Sequence, residues 1–188
     1  MENIETSKIC NSGGAIGADT FFEDICVNNG IDVIAWSFKG HKTDSKNTVI
    51  LSQEELIEGF EHVKIANKNL KRNIFNIGPY VKNLLSRNWY QVKNSDAIYA
   101  VANIKSDYMS VEGGTGWAIQ MAIDNKKSIF VFDQKTDLWF EYDYIIGFKP
   151  MGIGDIPKLT ERFAGIGTRE LKDSGIVAIK SLLKKNKK

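Results

Sequence analysis

Three short segments combine glycine with residues able to hold an anion: Ser12-Gly-Gly-Ala-Ile-Gly-Ala-Asp19, Glu112-Gly-Gly-Thr-Gly116 and Phe163-Ala-Gly-Ile-Gly-Thr-Arg-Glu170. A turn without Cβ atoms lets backbone N–H groups close on a phosphate, and a helix N-terminus behind it adds the positive end of a dipole. Thr168 and Arg169 offer a hydroxyl and a guanidinium fork suited to phosphate oxygens, although Arg169 beside Glu170 also fits a surface ion pair. Asp19 either meets a ribose hydroxyl or a base, or caps the helix it opens. Ser12, Gly13, Gly14, Gly17, Asp19, Gly113, Gly114, Thr115, Gly165, Gly167, Thr168 and Arg169 are therefore candidate ligand-binding residues.

Neither Gly13–Asp19 nor Gly165-Ile-Gly167 is a standard fingerprint: the first lacks the Lys-Ser/Thr of a phosphate loop, the second the third glycine of the dinucleotide motif. Backbone requirements alone explain one such turn. Three at corresponding strand ends favour a shared pocket, since ligands of open α/β sheets gather at the carboxyl edge. Trp36-Ser-Phe-Lys-Gly-His-Lys42 reads as an aromatic, basic loop leaving a strand, and Trp36, Lys39 and Trp117 would shape a subsite for a base or ring. Lys39, His41 and Lys42 are equally ordinary loop charges. His41 stands alone, with His62 on a separate helix, so no protein-bound metal is expected. No Ser–His–Asp or Cys–His spacing supports nucleophilic catalysis. Glu112 either faces the ligand as a carboxylate base or points outward.

Short runs rich in Ile, Val, Phe or Ala read as strands at Lys8–Asn11, Asp32–Trp36, Asp96–Val101, Ser128–Asp133 and Arg162–Ile166. Helical spacing fills the gaps. Phe21, Phe22, Ile25 and Cys26 share a face in Asp19–Asn28, and Ser52-Gln-Glu-Glu55 is a capping box opening a helix. Val81–Val92, Trp117–Asp124 and Ile176–Leu183 repeat the pattern. Alternating strands and helices predict a parallel sheet covered on both faces. Leu138–Ile145 is expected as an antiparallel edge strand and Gly147–Lys158, with Pro150 and Pro157, as a loop.

The 188 residues suffice for one core, so a single domain over residues 1–188 is expected, with the lysine tail at 184–188 frayed. Twenty-five basic against 23 acidic side chains leave no field of the kind that holds a duplex, which disfavours nucleic acid. Cys10 and Cys26 lack a partnering motif and read as reduced packing residues. No apolar run is long enough to span a membrane, and Met1-Glu-Asn-Ile-Glu lacks the basic start of a signal peptide, so the expected location is cytoplasmic. Trp139, Phe140, Tyr142 and Tyr144 could supply a patch for homo-oligomers.

Ser12–Asp19, Trp36–Lys42, Asn94-Ser-Asp-Ala97, Gly113-Gly-Thr115 and Phe163–Arg169 resemble, in that order, the circularly permuted YpsA-like branch of the SLOG superfamily. That superfamily groups the DNA-processing protein DprA, the LOG phosphoribohydrolases and molybdenum-cofactor carrier proteins. The resemblance spans nearly the whole chain. It implies a Rossmann-like fold in which the final strand inserts centrally, between Lys8–Asn11 and Asp96–Val101, bringing the three turns to one crevice. LOG enzymes use Gly-Gly-x-Gly-Thr-x-x-Glu, where this chain has Gly113-Gly-Thr-Gly-Trp-Ala-Ile-Gln120. Gln120 cannot act as a carboxylate, so an N-glycosidase acting on nucleoside monophosphates would need Glu112 or Asp19 instead. The carrier-like relatives imply a phosphate-bearing pterin ligand and no catalytic carboxylate. The resulting expectation is a sensor, carrier or sequestering protein for a nucleotide-derived or other phosphate-bearing small molecule, with the cofactor itself unspecified.

Overall fold

In a computed structural model, which describes residues 7–184, all five apolar runs are strands of one eight-stranded sheet. The strands are β1 (Ile9–Ser12), β2 (Asp32–Phe38), β3 (Thr48–Leu51), β4 (Ala97–Ala102), β5 (Ser128–Asp133), β6 (Leu138–Asp143), β7 (Gly147–Pro150) and β8 (Arg162–Gly167). Five helices accompany them: α1 (Ala18–Asn28), α2 (Gln53–Leu70), α3 (Pro79–Lys93), α4 (Thr115–Asp124) and α5 (Asp173–Lys184). The spatial order is β3-β2-β1-β8-β4-β5-β6-β7. β3 to β5 in that order run parallel, whereas β6 and β7 run antiparallel. This is a Rossmann-like open sheet with β8, last in sequence, at its centre: Ile9 pairs with Arg162 on one side and Ala97 with Phe163 on the other.

The alternation of β4 shows why both faces are covered. Ile98, Ala100 and Ala102 point into a core with α2, α3 and α4, while Ala97, Tyr99 and Val101 point into a second core with α1 and α5. A strand apolar on both sides can sit only in the middle of such a sandwich. Cys10 and Cys26 are free thiols fully buried in the α1 core. The capping box at the start of α2 forms as expected, with Ser52 Oγ accepting from Glu55 N–H and Glu55 accepting from Ser52 N–H. No helix is long and apolar enough to cross a membrane among the described residues.

The structure departs from the sequence expectations at the sheet margins. Thr48–Leu51 adds β3 beyond β2, and Gly147–Pro150, expected as loop, pairs with β6 as β7, so the Leu138 strand is not the edge. Gly147 and Pro150 give β7 the look of a loop, and Pro150 is tolerated because it lies on the margin. Trp139 and Phe140 are buried rather than available for association, because their side chains enter the two cores on opposite faces of the sheet. β2 runs past Trp36, so Ser37 and Phe38, expected in the loop, belong to the strand. Glu112 follows no strand end: residues 103–111 intervene after β4, closed by an Ile104–Val111 bridge. Of the tail expected to fray, Lys184 ends α5 and residues 185–188 lie outside the described residues.

Candidate functional site

Parallel strands β1, β8 and β4 end side by side, so the segments that leave them share one edge of the sheet. α1 and α5 turn back over one face and α4 over the other, so the chain changes face between β8 and β4, the position where doubly wound sheets hold ligands.

The first and third glycine turns are bonded to each other at this edge. Gly167 N–H donates to Asp19 Oδ1 at 3.0 Å and Ala18 N–H donates to the Thr168 carbonyl at 3.0 Å. Space forces glycine at the joint. A Cβ on Gly167 would stand 2.3 Å from the Val101 carbonyl oxygen, and one on Gly17, whose φ is 111°, would stand 2.5 Å from the Thr168 carbonyl. Gly165 lies equally close over the Phe22 ring. Asp19 therefore does not cap α1: the N-cap is Gly17 with no side-chain bond, because the carboxylate reaches across to β8 instead.

Beneath the first turn lies the guanidinium of Arg87, carried in from α3. Arg87 is 4% exposed, and its NH1 sits 3.8 Å from Asp19 Oδ2 and donates to Gln91 Oε1 at 3.1 Å. It fills the space that a Gly13 side chain would occupy. Burial pushes the Asp19 carboxyl up from 3.8 to about 6, opposed by the Arg87 charge and the Gly167 amide. Burial likewise lowers Arg87 from its ordinary value, with Asp19 and Glu23 pulling it back. The loop from β2 to β3 closes the outer side: Thr43 Oγ1 donates to the Gly14 carbonyl at 2.9 Å and Ser45 Oγ to Glu23 Oε2 at 2.6 Å. Ser12 Oγ accepts from Gly14 N–H at 3.2 Å.

The second turn is built differently. Gly113 has φ 68° and Gly114 begins α4, and no atom crowds the Cβ position of either. Arg72 NH1 donates to the Gly113 carbonyl at 2.8 Å while its guanidinium lies over the Trp117 ring, 5.4 Å from the centroid. Trp117 itself is buried in the α2–α4 core. Glu112 is clasped by Lys135 at 2.6 Å and by Asn103, and these bonds lower its carboxyl from the ordinary value. An ionised carboxylate of this kind can steady a positive charge but cannot donate a proton at neutral pH.

The remaining candidates are spread along the edge. Thr168 Oγ1 accepts from Glu170 N–H, and Arg169 is exposed beside it. Trp36 Nε1 donates to buried Asn11 Oδ1 at 3.0 Å and its ring tilts against Tyr90, which places it on the α3 side of β2. Lys39 lines a separate cleft of about 480 Å3 with Phe38, His41, Thr43 and Ser45, on the outer side of the β2–β3 loop. Partial burial, with Arg87 nearby, lowers His41 to about 4, so its ring is neutral. Among the described residues no three His, Cys, Asp or Glu side chains gather as a metal site.

The sequence reading gives no role to Arg72 and Gln134 and takes Arg87-Asn-Trp-Tyr90 as core and surface of a helix rather than a binding box, although Arg87, Arg72 and Gln134 all organise this edge. Gln134 holds the third turn through Glu170 and Lys172, accepting from Lys172 N–H at 2.8 Å. Arg87 was legible in principle: it shares the inward stripe of α3 with Gln91 and Tyr90, and a charge at an inward register asks for a buried partner. No protein-family model matches the chain, and neither curated proteins nor solved structures include a significant match.

Proposed function

We propose that this protein binds a phosphate-bearing small molecule, nucleotide-derived or similar, at the carboxyl edge of the sheet, as a sensor, carrier or sequestering protein. The reading is supported by the central position of β8, because Thr168 and Arg169 directly follow this strand where it runs beside β4. α4 starts at the same edge, and the first-turn N–H groups of a helix have no partner within it. A phosphate there would meet those amides, the Thr168 hydroxyl and the Arg169 guanidinium, with the joined turns at Gly13–Gly17 and Gly165–Gly167 as the rigid floor. The resemblance to permuted SLOG proteins supports the same reading and adds a molybdenum-cofactor-like pterin to the ligands worth offering.

Calorimetric titration with nucleoside monophosphates, cyclic dinucleotides, ADP-ribose and molybdopterin tests it. Saturable binding by one of them, weakened about tenfold or more by Arg169→Ala, is the expected result. No heat from any of them at millimolar concentration would remove the reading.

A further inference from the structure

Away from the glycine turns, the C-terminal half of α2, the loop at residues 71–78 and the start of α3 enclose a cleft of about 610 Å3. Its walls carry two phenyl rings, Phe60 and Phe75, and three ammonium groups, Lys64, Lys68 and Lys82, and no carboxylate lines it among the described residues. A volume of this size accommodates a ligand of nucleotide dimensions.

Two of the charges lie over one ring. Lys82 Nζ lies 4.2 Å from the Phe60 centroid and Lys64 Nζ 5.5 Å from it, so both ammonium groups lie near one aromatic face. The Lys64–Glu61 pair is half exposed and holds that lysine weakly. α3 adds a fourth positive contribution, because its N-terminus at Gly78–Pro79 carries no side-chain cap. Phe75 is 91% exposed, yet its loop is fixed: Asn67 exchanges two hydrogen bonds with the Arg72 backbone, at 2.8 and 2.9 Å, and Phe75 N–H donates to Asn73 Oδ1. A phenyl ring exposed to water on the wall of a cleft that also carries three lysines is complemented by a flat ring bearing negative charge.

We infer that this cleft is a second binding site, for a small planar aromatic anion of the nucleoside monophosphate type, stacked on Phe75 with its phosphate among Lys64, Lys68 and Lys82. Ring and charge are both required by that arrangement. Adenosine monophosphate is the probe, with adenosine lacking the charge and inorganic phosphate lacking the ring.

Titration should give saturable binding for adenosine monophosphate and affinities at least about tenfold weaker for either control. Phe75→Ala and Lys82→Gln should each weaken it by about tenfold or more without moving the thermal midpoint, and added salt should weaken it further. Photolabelling with an azido-adenosine monophosphate should mark peptides within residues 60–82. Three outcomes overturn the proposal: no saturable binding, affinity unaltered in both variants, or label confined to the glycine-turn peptides. The last would leave the carboxyl-edge site standing alone, and label at residues 60–82 with Arg169→Ala silent would do the reverse.

Discussion

The joined first and third turns and the second turn are all rich in glycine, but the space around Gly113 and Gly114 differs from that around the glycines of the joint. At the joint, Gly13, Gly17, Gly165 and Gly167 are small because Arg87, the Thr168 and Val101 carbonyls and the Phe22 ring occupy the space a side chain would take. At the second turn, Gly113 is glycine because its φ is 68°, with open space around it. Crowded glycines serve assembly of the fold, and Gly113 and Gly114 carry no such steric demand.

The sharpest way to break this contrast is Gly167→Val, which drives a branched side chain into the Val101 carbonyl and Ala18. A loss of more than about 4 kcal/mol is expected, seen as insoluble expression or collapse of the thermal midpoint. Next is Arg87→Met, which leaves Asp19 and Glu23 buried without their cation and should cost roughly 3–5 kcal/mol in urea unfolding. The double variant with Asp19→Asn should recover part of that loss, and strict additivity would show that the two groups do not interact.

Asp19 gives a pH signature to the same joint. Its folded value of about 6 lies above the ordinary 3.8, so the native state holds the proton more tightly than the unfolded chain. The contribution is complete below about pH 4 and is lost as pH rises through about 6, roughly 3 kcal/mol at about 1.4 kcal/mol per pH unit. Unfolding free energies across that interval should therefore decline with pH, and Asp19→Asn should flatten the slope; an unchanged slope would place the titration elsewhere.

At the second turn the effects should be small. Gly113→Ala pays only for a left-handed backbone, about 1 kcal/mol, with no steric collision. Glu112→Gln removes an exposed ion pair and should change stability by less than about 1 kcal/mol. Neither the native protein nor this variant should release free base from nucleoside monophosphates. Release that vanished in Glu112→Gln would replace binding by N-glycoside hydrolysis.

The central elements were legible because each is marked by physics that sequence displays directly. β4 and β8 are apolar runs buried on both faces, and Ser52–Glu55 states its own cap. The position of β8 between β1 and β4 was not: it came from the resemblance, since periodicity says nothing of which strands become neighbours. β7 escaped because Gly147 and Pro150 mark it as a loop; β3, Thr-Val-Ile-Leu, carries the residue types of a strand and went unread. At the site, sequence pointed to the turns but not to what fills them. Arg87 reaches the first turn from a helix distant in sequence, and Asp19 chooses the distant Gly167 amide over its own helix terminus. Such choices belong to tertiary space.

The middle of the sheet also sets an order of events during synthesis. Until the segment after Lys158 has left the ribosome, β1 has only β2 beside it and β4 only β5, each with a bare row of hydrogen-bonding groups facing an unfilled slot. Closure is a late, long-range event, of the kind that proceeds slowly and exposes unpaired strand margins to neighbouring chains. Nascent chains stalled short of that segment should be the species that chaperones find.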